Sequence, residues 1–256
     1  MSRKVFAASV ALLLAITLAW LAAESAAQEG GGSQEKIDVL IVTGFDVGAH
    51  KWRETTPLTK ETLEKTERMD VRVVEDIGIF ESSSLSKYDV VVLNYGFWTA
   101  PDPSDEGKEN LLRYVRDGGG LVSLHFSCSA FQEWKEYADL LGRVWKKGVG
   151  GHGPRGKFTV KIAKPDHPIT RGLESFEIDD ELYAKLSGDA EIEVLASADS
   201  EWSGKTEPIV FVKRHGKGRV AHNVLGHDVR AREHPTAREL VSRCVEWAAT
   251  GKVAAR

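Results

Sequence analysis

The chain is predicted to be a doubly wound α/β protein: a mostly parallel sheet with helices on both faces. Three observations lead there. Short apolar, β-branched runs alternate with stretches at helical spacing, in the order strand, helix, strand, strand, helix, strand, helix. Several of those runs end in loops carrying glycine, histidine or aromatic residues. The stretch Asp117-Gly118-Gly119-Gly120-Leu121-Val122-Ser123-Leu124-His125-Phe126-Ser127-Cys128 reads as helix end, glycine turn, buried parallel strand and sharp turn.

The first segment reads as a targeting signal. Arg3 and Lys4 precede an apolar run from Val5 to Ala23, and Ser25-Ala26-Ala27 supplies the small residues of a cleavage site. An uncleaved anchor is the alternative, since the run is near the lower limit for crossing a bilayer. Residues 28–35 hold Glu29-Gly-Gly-Gly-Ser-Gln34, a linker composition, which favours cleavage after Ala27 and a secreted or periplasmic product free of the membrane. Loss of residues 1–27 removes Arg3, Lys4 and Glu24, so the formal charge moves from −4 to −5. Residues 36–253 then form one domain, of a length that buries most of its unfolded surface without staples. The mild acidity argues against a nucleic-acid partner, because no basic stripe is present to neutralise phosphates. Export permits a disulfide between Cys128 and Cys244, but sequence cannot show whether they meet.

Lys36 to Thr43 is the first predicted core strand, running into the loop Gly44-Phe45-Asp46-Val47-Gly48-Ala49-His50-Lys51-Trp52. That loop has no G-x-G-x-x-G spacing, so no nucleotide cofactor is expected. Thr55-Thr56-Pro57 fits the cap of the next helix, with proline at its first position. Val71 to Glu75 and Tyr88 to Asn94 are the next strands, the latter ending in Asn94-Tyr95-Gly96-Phe97-Trp98. Pro103-Ser104 opens a helix with Leu111, Leu112 and Val115 at helical spacing. After the strand at Leu121, Ser127 and Ser129 are suited to cap a helix over Ala130 to Leu141. Lys146 to Lys157 is a glycine-rich loop around His152. Phe158 to Ile162, Ile192 to Ala196, Pro208 to Lys213 and Gly218 to Val224 are further strands, the last running into Leu225-Gly226-His227-Asp228. A helix from Pro235 to Thr250 closes the fold and stops at Gly251.

Strand ends line the ligand crevice of open α/β sheets. His50, His125, His152 and His227 all fall on loops expected at one end of the sheet, with Asp46 and Asp228 near two of them. Imidazole and carboxylate together suit zinc or a similar divalent metal, yet the spacing is not local, and on spacing alone four unrelated surface or capping histidines are the stronger reading. Trp52, Tyr95, Phe97 and Trp98 lie at strand ends too; such rings with polar neighbours suit carbohydrate, and an ordinary core rim is the bland alternative. Cys128 falls about three residues past the turn position that a nucleophile would need, and that position belongs to His125. His167, His215 and His234 read mainly as structural, His167 being the first candidate for an exception.

Gly118-Gly119-Gly120-Leu121-Val122 with Leu124-His125, His167-Pro168-Ile169-Thr170 with Gly172-Leu173, Asp180-Glu181-Leu182-Tyr183, and Gly216-Lys217-Gly218-Arg219-Val220 with Leu225-Gly226-His227-Asp228 together resemble the ThuA-like (trehalose utilisation) family over about Ile37 to Val253. The resemblance implies a flavodoxin-like fold like that of class I glutamine amidotransferases, with His125 where their elbow cysteine stands. It also implies a role in sugar catabolism, with 3-keto-sugars as substrates.

The leading expectation is an exported enzyme, an isomerase, hydratase/lyase or hydrolase, acting on a sugar or keto-sugar. His50, His125, His152 and His227 would hold a metal that polarises an oxygen. His125, His227, Asp228 and Glu181 would carry the chemistry, the carboxylates as base or as partners orienting a histidine. Trp52, Tyr95, Trp98 and His152 would bind the sugar. A homo-oligomer is compatible with this reading. The rival is a non-catalytic periplasmic carbohydrate-binding domain, which needs the aromatic rim but no ionisable cluster.

Overall fold

The computed structural model describes residues 36–254; the expected signal and linker, residues 1–35, lie outside them. The first strand, β1 (Ile37–Val42), is apolar on both sides: Val39 and Ile41 pack into one core layer, Leu40 and Val42 into the other. The same division runs through β3 (Val90–Leu93) and β4 (Gly120–Leu124), as burial on both faces of a parallel strand requires. One layer is closed by α1 (Trp52–Glu64) and α5 (Pro235–Thr250), through Leu63, Leu240, Cys244, Val245 and Trp247. The other is closed by α2 (Asp105–Asp117) and α3 (Lys135–Leu141), through Leu111, Val115, Tyr137, Leu140 and Leu141. A fully buried side chain of this size contributes about 1.5–3 kcal/mol, so the two layers are the main source of stability.

Among the described residues, nine strands form one sheet in the order β2-β1-β3-β4-β11-β10-β9-β6-β7. Its new members are β2 (Met69–Val74), β6 (Gly156–Ile162), β7 (Phe176–Asp180), β9 (Glu193–Ser200), β10 (Lys205–His215) and β11 (Gly218–Asn223). From β2 to β11 the pairings are parallel; beyond β11 they are antiparallel. The doubly wound α/β fold is therefore as expected, with an antiparallel extension on one side. A separate ribbon pairs β5 (Gly151–His152) with β8 (Tyr183–Ala184). Because β1, β3, β4 and β11 run the same way, their carboxyl ends emerge along one edge of the sheet. The chain turns from β1 outward to β2 and then back across to β3, which makes this edge the switch-point crevice of the fold.

Gly120 shows how closely the layers approach. A Cβ there would stand 2.6 Å from the Ala248 carbonyl of α5, so only glycine lets the strand start against the helix.

Two helix starts differ from expectation. Helix α1 begins at Trp52, and Pro57 lies inside it. Thr55 and Thr56 are not caps: they are buried side chains bound by the Asn94 amide, and Thr56 also meets Thr43. Polar burial of these threonines against a strand tip outweighed their capping propensity. After β4, residues His125–Ser129 form a 3₁₀ turn, and α3 starts only at Lys135. Ser127 and Ser129 spend their hydroxyls on the Leu93 and Phe126 carbonyls rather than on a helix terminus.

Cys128 and Cys244 are free and buried on opposite faces of the sheet, so they form no disulfide.

Candidate metal and active site

His125 follows the last residue of β4 with φ of 40°, a left-handed conformation uncommon outside glycine and asparagine. The turn lifts the imidazole off the strand tip. Its Nδ1–H donates to the Val224 carbonyl at 2.6 Å, at the end of the neighbouring β11, which leaves Nε2 as the basic nitrogen. That nitrogen is buried with no hydrogen-bond partner.

Three other side chains meet it. His50 arrives from the loop after β1, His227 from the loop after β11, and Glu181 from the segment between β7 and β8. One ligand atom from each of His50, His125, Glu181 and His227 lies within 4.8 Å of the others. Ring centroids separate His50 from His125 by 5.2 Å and from His227 by 4.8 Å. Glu181 Oε2 stands 2.9 Å from His227 Nδ1 and 3.7 Å from His125 Nε2.

The electrostatics favour donors over cations. Burial, reinforced by the neighbouring imidazoles of His125 and His227, pushes the His50 pKa down to about 2, so its ring is neutral. Its Nε2 meets the Tyr183 hydroxyl at 3.1 Å, while Nδ1 is buried without a partner. Burial alone would raise the Glu181 carboxyl, but the imidazoles of His125 and His227 hold it well below the ordinary carboxylate range. His227 Nδ1 lies near the carboxylate but off the line of a hydrogen bond. Three imidazoles and an ionised carboxylate around buried, unpartnered nitrogens are a donor set that fits a divalent metal.

The surroundings hold the donors in place. The Asp180 carboxylate accepts the backbone N–H groups of Glu181, Gly226 and His227, at 2.9, 2.6 and 3.0 Å. Arg232, buried on α4 (Val229–Arg232), donates to the Gly226 carbonyl, to Thr59 and to Asn94. Phe126 stacks on His50 at 4.6 Å. None of Asp180, Arg232 and Tyr183 was singled out for this role from sequence; the Asp-Glu-Leu-Tyr run was the one available signal for two of them.

Other expected residues fall elsewhere. His152, expected as a ligand, stands outside the cluster at the mouth: its Nε2 is 3.8 Å from Glu181 Oε1, and its Nδ1–H donates to the Gly153 carbonyl. Asp228 is not beside the imidazoles as a base. It forms a two-pronged ion pair with Arg155 and caps α4 at the Ala231 N–H. Asp46 pairs with Arg53 and accepts the Trp52 indole N–H at 2.8 Å. Tyr95 is buried between Phe45 and Phe131, in the core. Trp98 stacks on Phe97 and packs against the same core layer. Trp52 is buried in the first turn of α1. These three rings are core rim, and the geometry does not turn them into a sugar platform. Cys128 is buried, and burial pushes its thiol up to about 12, which removes the thiolate a cysteine hydrolase needs. Among the described residues no helix is long and apolar enough to cross a membrane.

A ThuA-like protein from Parabacteroides merdae superimposes with a TM-score of 0.77 at 29% identity, over 87% of this chain and 93% of that one. One from Bacteroides uniformis gives 0.68 at 19% identity, over 85% and 93%. A third of the chain of a β-galactosidase from Rahnella sp. R3 shares the fold, with a TM-score of 0.56 at 15% identity over 87% of this chain. No curated protein matches the chain. The ThuA family model, described as trehalose utilisation, matches residues 38–248, and the chain belongs to that family, which carries a role in sugar metabolism.

Proposed function

We propose that the chain is an exported sugar-metabolism enzyme that acts on a sugar or keto-sugar at a metal held by His50, His125, His227 and Glu181. The observation that carries the reading is the convergence of three imidazoles from three strand-end loops with one ionised carboxylate, three imidazole nitrogens being buried and unpartnered. A divalent cation such as zinc would polarise a carbonyl or hydroxyl oxygen of the sugar there. The chain's own groups have separate tasks. The Val224 carbonyl fixes the His125 tautomer, and Tyr183 orients His50. His152, at the mouth with Nδ1 committed to Gly153, offers Nε2 for proton exchange with a substrate hydroxyl. Export is supported by Arg3-Lys4, the apolar run to Ala23 and the small residues before Gln28.

A non-catalytic binding domain gains nothing from donors buried without partners, which cost free energy when left unmade. The test is elemental analysis of purified protein loaded with zinc, manganese or nickel, alongside His125→Ala and His227→Ala. We expect about one ion per chain, and loss of it in both variants. Metal-free protein after loading, or unchanged loading in both variants, sinks the reading.

A further inference from the structure

We propose that Trp202 is a positioning residue for the site: its indole braces the strand that carries His152 and, through Gly153, holds the His152 imidazole in the tautomer that leaves Nε2 as the bare nitrogen facing Glu181. The inference rests on the proton-exchange role given to His152 above and not on the metal.

His152 sits on a weakly held strap. The segment is tied at one end where the Lys147 N–H donates to the Gln132 side chain, and at the other where Arg155 pairs with Asp228 and Asp179. Between those ties run Gly148, Gly150, Gly151 and Gly153, and the ladder there has two rungs, Gly151 to Ala184 and His152 to Tyr183. Glycine loses more backbone freedom on ordering than any other residue, and a short two-stranded ribbon is marginal without a surface to pack on. Trp202, in the turn between β9 and β10, supplies that surface.

The contact falls on both sides of His152. A Cβ on Gly151 would stand 2.2 Å from the indole, and one on Gly153 would stand 3.4 Å from the Trp202 Cβ. Successive side chains of an extended strand point to opposite faces, so the indole backs the strand on the face away from the His152 ring. On its own face that ring stacks at 5.9 Å on Tyr183, and its Nε2 stands 3.8 Å from Glu181 Oε1, beyond hydrogen-bond reach. The Gly153 carbonyl accepts from His152 Nδ1–H at 2.7 Å, and a neutral imidazole protonated at Nδ1 has a bare Nε2. The tautomer therefore depends on where Gly153 stands, and Gly153 rests on Trp202. The indole is itself fixed. The Lys185 ammonium lies 4.3 Å from its centroid, and the Lys185 N–H is bound by Glu207, a buried carboxylate on β10. Bracing of this kind gives an indole that is 43% exposed a task that burial does not.

The experiment records the imidazole nitrogen shifts of the full chain, labelled with nitrogen-15 histidine and free of added metal, at about pH 9, above the ordinary histidine range. His152 is assigned by its absence in His152→Gln. In the parent its two nitrogens should lie at widely separated shifts, Nδ1 protonated and Nε2 bare. In Trp202→Ala they should draw together by roughly a third or more of that gap, as exchange between tautomers averages them. The His125 pair, held by the Val224 carbonyl, should stay where it is. Gly151→Ala keeps the indole but pushes it off the strand, and should match Trp202→Ala. Trp202→Phe should retain more of the separation than Trp202→Ala does. A His152 pair already averaged in the parent, or unmoved in Trp202→Ala or in Gly151→Ala, overturns the inference. So does a His125 pair that moves as far as that of His152, because the change is then general loosening. Zinc uptake is measured on the same samples at neutral pH. A parent that takes up no zinc yet keeps the single His152 tautomer, lost in Trp202→Ala, removes the metal centre and leaves this inference standing.

Discussion

Nδ1 of His227 and Oε2 of Glu181 are 2.9 Å apart, although 46 positions separate the residues in sequence, and one side chain sets both. Asp180 is buried, and its carboxylate takes the backbone N–H of Glu181 on one side and those of Gly226 and His227 on the other. The pair is thus aligned through the main chain rather than by its own attraction. Asp180→Asn keeps the shape but replaces one accepting oxygen with a donor, leaving at least one buried N–H unmade. We expect a loss of about 1–3 kcal/mol in urea unfolding and a ten- to hundred-fold weaker zinc affinity, the usual effect of losing a group that orients ligands. Zinc titration with a competing chelator checks it; unchanged affinity would show that the loop holds its shape without the carboxylate.

Arg232 grips the same loop from the other side. Its guanidinium joins the Gly226 carbonyl to Thr59 on α1 and Asn94 at the tip of β3, three elements distant in sequence. Burial depresses its pKa to about 10, which still leaves it charged. Arg232→Lys cannot span the three acceptors, because an ammonium lacks the planar fork. A destabilisation of about 1.5–3 kcal/mol is expected, the worth of a hydrogen bond to a charged donor that the variant leaves unmade. A lysine variant as stable as the parent would show that charge alone is needed there.

The thiols supply a third expectation. Cys128 and Cys244 are both fully buried, and burial pushes each up to about 12. Iodoacetamide at pH 8 should label neither in the folded protein, and both after unfolding in urea, as intact-mass measurement would show. Rapid labelling of the native chain would mean that one thiol reaches solvent and that the cysteine-nucleophile reading deserves revival.

How much of this was legible depended on where information is stored. The strand cores were readable, because Val90–Leu93 and Leu121–Leu124 are buried on both faces and composition alone marks such runs. The loop histidines at positions 50, 125 and 227 were readable as a group because parallel strands must end together. Three things were hidden. Thr55 and Thr56 look like caps, but they spend their hydroxyls on Asn94, a long-range bond invisible to local propensity. Tyr95 and Trp98 read as a sugar rim because an aromatic at a strand end faces core or solvent with the same local pattern. His152 was expected in the cluster; Glu181 is the side chain that stands among the three imidazoles, and its approach from between β7 and β8 depends on the antiparallel extension of the sheet.

His222 was passed over entirely, being one residue inside a strand, and it yields the last prediction. It is fully buried on β11 beside Ser123 of β4, with its ring 4.5 Å from Phe211. Neither of its nitrogens, nor the Ser123 hydroxyl, has a hydrogen-bond partner. Burial first, then the nearby His125, lowers its pKa to about 3, so it folds neutral. An unfolded histidine titrates near ~6.5. Between those values the unfolded chain binds the extra proton, so the stability that neutral His222 permits is complete above about pH 6.5 and is lost progressively as pH falls toward 3. His222→Phe removes the titration and replaces a poorly satisfied polar ring with an apolar one of similar shape. At pH 7 the variant should match the parent to within about 1 kcal/mol or exceed it, since the unpaired nitrogens cost free energy. At pH 4.5 it should be the more stable of the two by a clearly larger margin. Urea unfolding at both values decides the matter: an equal margin at pH 7 and pH 4.5 would mean that His222 is already hydrated and titrates as an ordinary histidine does.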